Sequence, residues 1–127
     1  MVPVVIGVFA AVSLGLGLIE VLAPGAFFEN VGPFGARNDH YIRDGATFEL
    51  ANAVLLAVAL ARPSWRVPAL AFTAVRYGLH TLNHVADIDE ADPSWLGPAD
   101  AIALAVGCAW LVAALVLAVR HPSGDDA

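Results

Sequence analysis

The sequence predicts an all-α integral membrane protein, a four-helix antiparallel bundle, on three observations. Hydrophobic residues make up 59% of the 127 and the mean hydropathy is +0.73. Charged residues make up only 14%, where a soluble domain carries about a quarter. Four apolar segments are separated by short connections, so consecutive helices are antiparallel neighbours in one domain covering 1–127. A soluble bundle needs polar stripes at helical period along each segment, and the first and last segments have none.

The first segment, Val2 to Leu22, is interrupted by a charge only at Glu20. As a cleaved signal peptide it would lack a basic start, exceed the usual apolar length, and place Glu20 and Pro24 where small cleavage-site residues belong. It therefore reads as a retained helix. Gly7, Ala11 and Gly15 recur every fourth residue, a spacing that lets another helix approach closely. The loop from Ala23 to Tyr41 is rich in turn residues, and its Phe27, Phe28 and Phe34 suit the headgroup layer.

The second helix is predicted over 42–61, because the roughly 20 residues needed to cross a bilayer are reached only by starting near Ile42. Arg43 and Asp44 then sit at the interface, where Arg43 snorkels to phosphate and Asp44 complements the helix dipole. Gly45 favours close packing against the first helix. The third helix, 67–86, carries Arg76, His80 and His84 in an otherwise apolar run. The fourth, 95–119, follows Asp92-Pro93-Ser94-Trp95, with Ser94 as its expected cap, Pro98 in its first turn and Asp100 as its only charge. Trp65 and Trp95 mark opposite membrane faces.

The chain has no lysine, so orientation follows from arginine. Arg62 and Arg66 bracket the connection between the second and third helices and Arg120 follows the fourth, which predicts N-in/C-in topology. Asp87, Asp89, Glu90 and Asp92 are then outside, as are Asp39, His40, Arg43 and Asp44. Alanine, valine and arginine without lysine suit a GC-rich bacterial genome, hence a multi-pass protein of the bacterial inner (plasma) membrane. A net charge of -6 with no basic footprint excludes nucleic acid as a partner. The single cysteine, Cys108, excludes an intrachain disulfide and a CxxC dithiol. No serine or cysteine nucleophile arrangement and no phosphate-binding glycine loop is present.

With this topology the ionisable residues of the spans converge in the outer half. Glu20 ends the first helix, Glu49 lies about 10 Å below the outer end of the second, and His84, His80 and Arg76 descend the third to about 13 Å. Glu49 with Asn52, and Arg76 with His80 and His84, share helix faces. A buried network of Glu49, Asn52, Arg76 and His80 is expected, with Asp100 and Glu20 as further carboxylates. An Arg–Glu pair by itself explains no more than helix register. The surplus of carboxylates and histidines points to function, because ionisable groups in lipid are costly. Glu49, His80 and Arg76 are the catalytic candidates: arginine to hold an anionic or carbonyl group, glutamate and histidine to exchange protons. Asn52, Asp100, Glu20, Arg43 and Asp44 are the ligand-binding candidates.

His80-Thr-Leu-Asn-His84 also places two imidazoles on one helix face, a spacing that chelates a metal. His40 would be the third ligand, or Asp44, Glu49 or Asp100, and iron, copper and zinc all accept such a set.

The size, the four spans, the Pro24-containing exit from the first helix and the segment Asn38-Asp39-His40-Tyr41-Ile42-Arg43-Asp44-Gly45 resemble the DoxX-like family of small bacterial membrane proteins. That resemblance implies a quinone ligand or a partner oxidoreductase, since some members are associated with quinone-linked sulfur oxidation or membrane redox complexes. The His80/His84 pair lies outside it. The expected function is a DoxX-like membrane protein whose extracytoplasmic polar pocket binds a quinone or other small amphipathic ligand, alone, as a homo-oligomer or as a subunit of a redox complex. Three alternatives stand beside it: a transition-metal or haem protein using the HxxxH pair, a membrane acid-base enzyme acting on a lipid-like substrate, and a structural subunit.

Overall fold

A computed structural model describes residues 1–121, and its regular structure is helical. Four long helices, α1 (Val2–Leu22), α3 (Asp39–Ala61), α4 (Arg66–Ala86) and α5 (Leu96–Arg120), are joined by a short helix α2 (Pro24–Asn30) and a 3-10 turn, Pro63–Trp65. Among the described residues the β-type pairing is one isolated bridge, Phe34 with Ala91, which ties together the two loops at one end. The Asp92 backbone N–H donates to the Pro33 carbonyl at 3.2 Å beside it.

Helix boundaries follow local chemistry. The Asn38 side-chain oxygen accepts from the backbone N–H groups of His40 at 3.1 Å and Tyr41 at 3.3 Å, so α3 starts at Asp39 and not near Ile42. Asp39 is therefore the first-turn acid, and Asp44 lies beyond the turn where the dipole acts. Ser94 does not cap α5; the N-cap is Trp95, with no side-chain capping bond. The chain there is positioned by close packing, since a Cβ on Gly97 would fall onto the Ile88 carbonyl oxygen. The loop after α1 contains α2, which the sequence reading did not anticipate.

Helix α1 lies along α3, and α4 lies along α5, with sparser contact between the two pairs. Gly7 and Gly15 face open space and Ala11 is exposed, so the expected close approach does not run through them. It runs through Ser13, Gly17 and Glu20, where a Cβ on Gly17 would meet Leu50 Cγ at 2.7 Å. The hydrogen bond from Asn52 on α3 to Ser13 selects that face over the smaller-residue one.

The apolar core occupies one end of the molecule. Val5, Ile6 and Phe9 from the start of α1 meet Leu56 and Ala59 late in α3, Leu70 and Ala74 on α4, and Leu111 and Ala114 late in α5. Outside, valine, leucine and phenylalanine side chains remain exposed along every long helix, the reverse of a water-soluble surface. Helices α1, α3 and α5 are long and apolar enough to cross a membrane. Helix α4 has the length but carries arginine, histidine and asparagine at intervals. Its exposed large residues, Phe72, Val75, Leu79 and Leu82, nonetheless form one apolar stripe at helical spacing.

Candidate functional site

Beyond the apolar core the two helix pairs separate, and a cavity of about 630 Å³ opens between them. Glu20 from α1, Glu49 from α3, Arg76, His80 and His84 from α4, and Asp100 from α5 all line it. Phe9, Tyr77 and Trp110 form part of its apolar wall, and Phe27 from α2 and Phe34 from the loop after it also line it. A second cavity of about 510 Å³ opens between α3 and α4 and is lined by Gly45, Phe48, Phe72, Val75 and Leu79. Glu20, Glu49, Arg76, His80 and Asn83 line both, so one polar cluster separates the two spaces.

At the centre of that cluster Arg76 Nη2 donates to Glu49 Oε1. Both glutamates are more than nine-tenths buried, with relative exposures of 7% for Glu20 and 6% for Glu49. Each has one carboxyl oxygen, Oε2, enclosed and without a hydrogen-bond partner. Orphaned buried oxygens of this kind are uncommon, and water, an ion, a ligand or a catalytic role accounts for them where they occur. Gly45 allows the approach of α1: a Cβ there would stand 3.9 Å from Glu20 Oε2.

Asn52 departs from the expected network. Its amide donates to Ser13 Oγ at 2.9 Å, and its carbonyl oxygen accepts from Thr73 Oγ1 at 2.9 Å, with all three residues buried. It borders neither cavity and joins α1, α3 and α4 one turn from Glu49. His80 departs as well, being exposed rather than buried, and it stacks on His84 at 4.7 Å between ring centroids. The i,i+4 spacing on one helix brings the two rings together more readily than it brings His80 to Glu49. His84 in turn meets the edge of Phe34 at 4.7 Å, and its Nδ1 is enclosed without a partner.

Arg43 and Asp44 stand outside both cavities. Asp44 is exposed beside His40, 3.5 Å from its Nε2, and His40 also packs against Tyr41. His40 is thus not brought to His80 and His84. Among the described residues no three His, Cys, Asp or Glu side chains group as a metal site, so the expected third ligand is absent. Cys108 Sγ contacts the Ala74 carbonyl at 3.6 Å.

The aromatic wall went unread in the sequence. Phe9 meets Tyr77 edge-on at 5.0 Å and Trp110 at 6.1 Å, and the Arg76 guanidinium lies 5.7 Å from the Tyr77 ring centre. Its available signal was depth: in antiparallel helices Phe9, Tyr77 and Trp110 fall at one level. Comparison with known proteins finds no matching family model, curated protein or solved structure.

Proposed function

We propose that this chain is a four-helix antiparallel integral membrane protein of the bacterial plasma membrane, N-in and C-in, which binds a small amphipathic molecule in its outer-half cavity. The observation that carries the reading is the pair Glu20 and Glu49: two carboxylates enclosed in an apolar bundle, each with an oxygen unmatched, at the wall of a cavity large enough for a ligand. The outward stripe of α4 supports its crossing the membrane beside the other three helices, since its polar residues turn toward the cavities. An amphipathic ligand suits a space with a polar centre and aromatic and aliphatic walls.

The DoxX-like resemblance puts a quinone first among the molecules to test, with Arg76 and His80 as donors to its carbonyl oxygens. Titration of detergent-purified protein with decylubiquinone, followed by tryptophan fluorescence, reads this directly. Saturable quenching that is lost in Trp110→Phe supports the reading, because Trp110 is the cavity's own tryptophan. Quenching that never saturates and is equal in the variant rejects a quinone.

A further inference from the structure

The charge on the cavity wall limits which amphipathic molecule fits it. Glu20, Glu49, Asp87 and Asp100 face a single guanidinium, that of Arg76. The ion pair with Arg76 engages only Oε1 of Glu49, leaving Glu49 Oε2 and Glu20 Oε2 enclosed and unmatched. A carbonyl ligand would use the arginine and leave both oxygens as they are. An anion would add to the surplus. In a low-dielectric bundle a carboxylate is strongly unfavourable unless it is protonated or paired, and a ligand that carries positive charge or several N–H donors supplies the pairing.

An inorganic ion does not fit the arrangement, because among the described residues no three acidic, histidine or cysteine side chains converge on one point. A diffuse organic cation needs no such convergence. It is held by carboxylates at several ångströms and by aromatic faces, and Phe9 and Trp110 supply those within the same wall. The second cavity reaches the same carboxylates from between α3 and α4, past Phe48, Phe72 and Leu79, which are exposed on the apolar exterior.

We infer that the cavity between the two helix pairs is a binding site for an organic cation, an ammonium-like head on an apolar body, with Glu20 and Glu49 as its counter-charges. The inference rests on the amphipathic-ligand reading above and adds the head group.

The test uses two ions of nearly the same size and apolar surface and of opposite charge, tetraphenylphosphonium and tetraphenylborate, titrated calorimetrically into the detergent-purified full chain. Detergent-only blanks and a parallel titration with decylubiquinone complete the set. The cation is expected to bind at least about tenfold more tightly than the anion, and to lose about tenfold in Glu20→Gln and in Asp100→Asn. Equal or tighter binding of tetraphenylborate overturns the inference and leaves the amphipathic site standing. So does binding of decylubiquinone alone, or cation binding that both variants leave unchanged. If none of the three probes binds, the amphipathic-ligand reading falls and the inference falls with it.

Discussion

Arg76 on α4 donates to Glu49 on α3 across the gap between the two helix pairs, and the Ser13–Asn52–Thr73 chain lies deeper in the bundle. The pair thus stands where the apolar core ends and the cavities begin. A buried ion pair is weak evidence for stability, yet removing one partner strands the other.

Glu49→Leu alone is therefore expected to destabilise the protein by about 3 kcal/mol, since it leaves the mostly buried Arg76 without its carboxylate. Glu49→Leu with Arg76→Leu is expected to recover more than half of that loss. Thermal unfolding in detergent of the two single variants and the double variant gives the coupling. Additive losses would mean that the two side chains do not interact.

The Asn52 triad makes a contrasting prediction, because it joins three helices but lines neither of the two cavities. Asn52→Ala should cost about 1–2 kcal/mol, the upper range for interhelical polar bonds in membrane proteins. Affinity for any ligand of the cavity should stay within about twofold of wild type, a change below 0.5 kcal/mol. A large loss of affinity at unchanged stability would return Asn52 to the site.

These residues show what was legible in the sequence. Glu49 and Arg76 were readable as members of one polar network because an acid and a base in apolar segments have few ways to avoid each other, although by depth Glu49 matched His80. Asn52 matched Arg76 in depth and yet bonds elsewhere. Ser13 and Thr73 are small, polar and unremarkable in a sequence, and only the α1–α3 contact face shows that they meet it. That face was misread through Gly7, Ala11 and Gly15: small size permits contact, but the buried hydrogen bond between Ser13 and Asn52 decides it. His40 was placed near the histidine pair by its side of the membrane alone. Rotation about the α3 axis, which loop lengths do not fix, turns it to solvent.

Gly97→Ala should destabilise, contrary to the usual gain of up to about 1 kcal/mol when alanine replaces a helical glycine. The added Cβ would fall on the Ile88 carbonyl oxygen, a backbone atom that cannot rotate away. Displacing that turn is an overpacking event of about 1–3 kcal/mol. A lowered midpoint of thermal unfolding checks it, and a raised midpoint would show that the turn yields freely.

Filling the larger cavity should separate binding from folding. Ala103 on α5 is exposed and lines the cavity wall, so Ala103→Trp adds bulk to open space rather than to the core. Its unfolding midpoint should stay near that of wild type, while affinity for tetraphenylphosphonium falls about tenfold or more, a loss of at least 1.4 kcal/mol. Unchanged affinity would move the ligand out of this cavity.

Whether α4 crosses the membrane decides the sidedness of everything around the site. If it crosses, the 3-10 turn before it and the acidic loop after it lie on opposite faces; if it lies along the surface, both lie on one. Arg76 and its neighbours oppose insertion, at about 2.5–3.5 kcal/mol for an isolated arginine at mid-span. Pairing with Glu49 and the outward stripe of Phe72, Val75, Leu79 and Leu82 oppose that cost. In a Cys108→Ser background, Asp89→Cys should react with a membrane-impermeant maleimide in intact spheroplasts. Ser64→Cys should react only after permeabilisation. Identical behaviour of the two positions, both reacting in intact spheroplasts or both only after permeabilisation, would place α4 on the surface and open the polar cluster to water.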